Sequence, residues 1–167
     1  MTSLQRITTE YSEAEDRIRL AGEDAQGQTV VLWLTLRLLN RLIPHLCQWL
    51  GQQSGNAPLA EVRQEFAQQK ARAELEKQPP VRTEPDVQGV LIHSVDLKTA
   101  NAGMGLQFKG VDGNLVASLQ LQPRALRQWL NIVYDQYLLA GWPTTFWPAW
   151  VAEAKPSQTS SRAALLH

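Results

Sequence analysis

Arg37 and Arg124 are the pair of residues whose type and position could do the most chemistry. Each follows a run of strand-like leucines and falls in the first turn of a segment with helical apolar spacing. A cation there sits against the positive end of the helix dipole, at a cost of about 0.3–1 kcal/mol if exposed. An anion held jointly by the guanidinium and the free backbone N–H groups would offset that cost, which makes Arg37 and Arg124 candidate anion-binding residues. Salt bridges to turn carboxylates such as Asp24 and Asp112, or plain hydration, would offset it too and are the commoner arrangement.

Other reactive chemistry has thin support. His45, His93 and His167 are not at ligand spacing, so no metal site is expected. The single cysteine, Cys47, excludes a disulfide within the chain and a multi-cysteine zinc site. It lies in an apolar helical pattern without the surroundings of an activated thiol, so burial is its expected fate. The carboxylates fall in turns and along a polar helix, not as a catalytic pair. There is no Gly-rich phosphate loop, nucleophile elbow or zinc-protease helix. No catalytic residue and no cofactor is therefore assigned.

The strongest lead toward a partner is aromatic. Trp142, Phe146, Trp147 and Trp150 lie within nine residues, interrupted by Pro143 and Pro148. Leaving such rings in water forgoes on the order of 1.5–3 kcal/mol for each large side chain. Either the segment folds back over its own core or it docks on a second molecule as an exchanged arm. A second lead is the helix expected over residues 59–77, with Pro58 in its first turn. It is polar almost all round. Leu59, Val62, Phe66 and Ala73 form a thin stripe, which predicts packing by a narrow face or projection from the body. The interaction candidates are thus Trp142, Phe146, Trp147, Trp150 and Phe66.

The elements that position these residues follow from periodicity. Residues 5–12 and 17–22 alternate as strands, Val30 to Leu34 form a third strand apolar on both faces, and Thr35 is a good N-cap for a helix over 36–50. Pro44 should kink or split that helix. Residues 90–97, 104–110 and 115–121 read as three more strands. Pro123 then opens a helix that Gly141 closes after Ala140. The two halves look alike: Gly22 and Asp24 match Gly110 and Asp112, and Leu32, Leu34, Arg37 and Leu39 match Leu119, Leu121, Arg124 and Leu126. The expected fold is α+β. Two duplicated βββα units, 5–50 and 88–140, form one or two antiparallel sheets covered by the amphipathic helices. The polar helix 59–77 and a proline-rich linker, 78–87, join them within one domain over 1–150, and 151–167 reads as a disordered tail.

Bulk composition narrows the function classes. The 167 residues carry 16 basic and 16 acidic side chains, so binding of nucleic acid by bulk charge is disfavoured. The longest apolar stretch is broken by Arg37, Asn40, Arg41, Pro44 and His45 and cannot span a bilayer. A cytoplasmic protein without membrane attachment is expected. The reading is a non-catalytic interaction or assembly module, homodimeric or bound to another protein. One alternative is a nucleic-acid accessory protein using Arg17, Arg19, Arg37, Arg41, Arg124 and Arg127 as a local basic surface. The other is an enzyme with a small-anion site, which needs a pocket joining Arg37 or Arg124 to His93.

Overall fold

The computed structural model describes residues 2–53, 59–100 and 102–154. It is an α+β fold with one curled, mixed seven-stranded sheet and four helices. In chain order these are β1 (Thr2–Ser12), β2 (Arg17–Asp24), β3 (Thr29–Leu34), α1 (Leu36–Gln53), α2 (Ala60–Ala73), β4 (Val90–Leu91), β5 (Ser94–Ala100), β6 (Gly103–Lys109), β7 (Leu115–Leu121), α3 (Pro123–Ala140) and α4 (Ala149–Ala152).

The sheet order is β4-β3-β2-β1-β7-β6-β5. Hairpin neighbours pair antiparallel, but β1 runs parallel to β7 and β3 parallel to β4, so the expected purely antiparallel pairing is corrected. The sheet cannot be flat. Its edge strands β4 and β5 are separated in sequence only by Ile92 and His93. That connection spans at most about 11 Å. Six inter-strand gaps of about 4.8 Å would set flat edges roughly 29 Å apart. Curling brings the edges together: Ile92 N–H donates to Trp33 O at 3.0 Å, and His93 N–H to Lys109 O at 2.8 Å. The strand expected over 90–97 is therefore two strands that change partner at Ile92–His93.

The helix starts follow the local chemistry. Thr35 Oγ1 accepts from Leu38 N–H at 3.1 Å, capping α1. Pro123 opens α3, and Gly141, at φ 72°, ends it in the left-handed region. α1 runs unbroken through Pro44. Pro44 and Asn40 are both exposed, so the Asn40 carbonyl that proline leaves unbonded lies on the solvent side. The apolar faces of α1 (Leu39, Ile43, Leu46) and α3 (Leu126, Leu130, Val133) join Leu20, Leu32, Leu106 and Phe108 of the sheet in one core cluster.

Three expectations change in detail. Residues 78–87 are strapped to the outer face of the sheet: Val81 is buried, its N–H donates to Thr8 Oγ1, and Arg6 and Arg19 bond Pro79 O and Thr83 Oγ1. The chain also stays packed past residue 150. Val151 and Ala154 are buried, so 151–154 do not belong to a disordered tail; the rest of that segment, with His167, lies outside the described residues. Finally, the Gly22–Gly110 match does not hold in three dimensions. Gly22 lies within β2, whereas Gly110 opens the β6–β7 turn and is equivalent there to Asp24. Each turn closes on a positive-φ glycine, Gly27 or Gly113. No helix among the described residues is long and apolar enough to cross a membrane.

Candidate functional site

Helical spacing puts Leu59, Val62 and Phe66 on one side of α2 and Gln64, Gln68 and Ala71 on the other. Apolar burial alone would turn the first set inward. The opposite happens: Gln64, Gln68 and Ala71 are buried, while Leu59, Val62 and Phe66 face out. Of the two alternatives for this helix, packing by the narrow apolar stripe is the one corrected: α2 packs by its polar face and leaves the stripe exposed. The reason lies on α3, whose surface beneath α2 carries Arg127 and Asn131, both buried. A buried polar group needs partners, and glutamines supply them.

Those partners form one network. Arg127 donates to Gln64 Oε1 at 2.6 Å and to Gln68 Oε1 at 3.3 Å. Gln68 Nε2 donates to Arg127 O at 2.7 Å and to Asn131 Oδ1. Gln64 Nε2 reaches Leu50 O on α1 at 2.8 Å, and Asn131 Nδ2 reaches Val151 O on α4 at 3.4 Å. All four helices meet here. Among the described residues Arg127 has no carboxylate partner; its guanidinium instead lies over the Trp150 ring, 5.4 Å from the centroid. Desolvation lowers the Arg127 pKa, yet an arginine stays charged in a protein. At the edge of the same α2–α3 contact, Arg72 pairs with Asp135 at 3.2 Å. Burial raises the Asp135 carboxyl pKa, and Arg72 opposes that.

The consequence is an apolar stripe left on the surface. Leu59 is 61% exposed, Val62 57% and Phe66 71%. Of the interaction candidates, Phe66 is the one standing fully in solvent. The aromatic segment folds back on its own chain. Trp147 is buried, Trp142, Phe146 and Trp150 are half-buried, and Tyr137 forms edge contacts with Trp142, Phe146 and Trp147. These rings fill the space beside α3, so they are not a free arm.

The anion candidates are not brought together. Arg37 is exposed in the first turn of α1 without a bonded partner among the described residues. Arg124 is paired with Glu74 of the segment after α2 at 3.3 Å, so an ion pair offsets its place at the helix start. Asp112, the turn carboxylate considered for that role, instead accepts from Asn114 N–H at 2.9 Å, which lowers its pKa. Of the proposed arginine surface, Arg17 pairs with Glu15, Arg19 with Glu10 and Arg124 with Glu74. Arg127 is buried and is no surface residue.

Cys47 is buried on α1, and desolvation pushes its thiol up to about 12. The native protein at pH 8 should therefore react with a thiol reagent at least about 100-fold more slowly than the urea-unfolded chain. Equal rates would show an accessible thiolate and reopen cysteine chemistry. Among the described residues no group of three or more His, Cys, Asp or Glu side chains could hold a metal ion. No family model matches this chain, and no curated protein or solved structure does so either.

Proposed function

We propose that this chain is a non-catalytic assembly module that pairs with a second copy of itself through α2. The observation that carries the reading is the outward stripe of Leu59, Val62 and Phe66, since a contiguous apolar patch on a helix marks a contact surface. The flanking charges favour a second copy. Leu59, Val62 and Phe66 fall at successive a, d and a positions of a heptad. Arg63 and Lys70 then occupy e, and Glu65 and Arg72 occupy g, Arg72 being already held by Asp135 of its own chain. In a parallel pair a g residue meets the e residue five positions on in the other helix, so Glu65 faces Lys70 of the second copy on both sides. Antiparallel pairing would set Arg63 against Lys70. The stripe covers little more than one heptad, which implies a weak dimer, with Kd on the order of 100 µM.

Sedimentation from about 5 to about 500 µM tests this. Wild type should shift from monomer to dimer. Phe66→Glu should weaken association at least about tenfold while leaving the folded signal intact. Glu65→Lys should also weaken it, and adding Lys70→Glu should restore it. A wild type that stays monomeric at the highest concentration overturns the proposal.

We also read the two halves as descendants of one βββα unit. α1 and α3 are both 18 residues long. In each half the third strand runs parallel to a strand that opens the other half, β7 with β1 and β3 with β4. The neutral charge and lone buried thiol fit a cytoplasmic setting for such a module.

A further inference from the structure

α1 presents Arg41 and His45 one turn apart on its exposed side. His93 stands across from them where the chain passes from β4 to β5. All three line one cleft of about 230 Å³ between α1 and β5. Leu42, Val95 and Leu97 give the same cleft an apolar lining. Neither Arg37 nor Arg124 contributes to it.

The charge balance of this cleft sets it apart. Arg6, Arg17, Arg19, Arg72 and Arg124 each hold a carboxylate. The side chains of Arg41, His45 and His93 have no hydrogen-bond or ion-pair partner among the described residues. Among the described residues no carboxylate lines the cleft. The one acid of β5, Asp96, alternates to the opposite face from Val95 and Leu97 and is tied to Lys109 at 2.6 Å. One permanent cation and two imidazoles, all able to donate, thus meet over aliphatic side chains. Apolar walls with a few convergent polar groups are the usual composition of a small-molecule site.

We infer that this cleft binds a small organic carboxylate with an aliphatic body, its head on Arg41, His45 and His93 and its chain along Leu42, Val95 and Leu97. The cleft is small, about 230 Å³, and suits a short-chain carboxylate. Arg41 supplies the planar donor pair that suits a carboxylate. The site is separate from the α2 stripe, so its fate does not depend on self-association.

The test is an NMR titration of the full chain with hexanoate, followed beside 1-hexanol, hexylamine and acetate. Hexanoate should shift the His45, His93, Val95 and Leu97 signals and saturate with a Kd on the order of 1 mM. Hexanol lacks the charge, acetate the chain, and hexylamine carries the wrong sign, so each should bind at least about fivefold more weakly. Arg41→Ala, at an exposed position, should weaken hexanoate at least about fivefold, whereas Phe66→Glu should leave its binding unchanged. Hexanol or acetate matching hexanoate, Arg41→Ala matching wild type, or shifts confined to another region would each overturn the assignment.

Discussion

Tyr137→Ala is expected to lower the unfolding free energy by about 4–5 kcal/mol. Tyr137 is fully buried and holds the aromatic segment in place through ring centroids 5.1 Å from Trp142, 5.9 Å from Phe146 and 5.2 Å from Trp147. Truncation leaves a ring-sized cavity and removes the edge contacts of three neighbours at once. The hydroxyl contributes less. It donates to Asn40 Oδ1 at 2.8 Å, joining α3 to α1, and burial keeps the phenol neutral by pushing its pKa up. Tyr137→Phe should therefore cost only about 1 kcal/mol, because Asn40 is exposed and can turn to water. Urea unfolding followed by tryptophan fluorescence checks both. A loss below about 2 kcal/mol for Tyr137→Ala would show that the aromatic segment is anchored elsewhere.

Much of this architecture is legible one element at a time. Thr35 as a cap, Pro123 as a first helical residue and Gly141 as a stop place α1 and α3, because each acts on its own neighbours in the chain. Partner choice is not written that way. The pattern of Val90 to Leu97 does not reveal that pairing jumps from β3 to β6 at Ile92–His93, and alternation does not distinguish the parallel β1–β7 pair from a hairpin. The Gly-x-Asp resemblance misled for a related reason. Glycine and aspartate recur wherever a turn needs positive φ or a side-chain acceptor, so Gly22 and Gly110 matched in letter while serving different backbone positions. At the candidate site Phe66 could be picked out as part of a stripe open to a partner, but the reason it faces outward could not. That depends on Arg127 and Asn131, which meet α2 only after the chain has folded.

Arg127→Ala should lower stability by about 2–4 kcal/mol, and the loss should be nearly independent of salt. Two mechanisms act in opposite directions. The guanidinium is buried without a carboxylate among the described residues, so removing it relieves a desolvation penalty. Removing it also strips the donors from Gln64 Oε1 and Gln68 Oε1 and the cation from the face of Trp150. Gln68 Oε1 left without its donor costs about 1–3 kcal/mol, and loss of the 2.6 Å bond to Gln64 Oε1 adds to it, so the second effect wins. The partners are amide dipoles and a π face rather than an ion. Added salt therefore has no exposed charge pair to screen, and stability differences measured in 0.05 and 1 M NaCl should agree within about 0.5 kcal/mol. Arg127→Lys keeps the charge but presents a single ammonium to two oxygens, so it should fall between wild type and alanine. If lysine instead matched alanine, shape and bidentate geometry would be what holds α2. If alanine cost nothing, α2 would not depend on its glutamines for attachment, and the physical reason for its outward apolar stripe would fail with them.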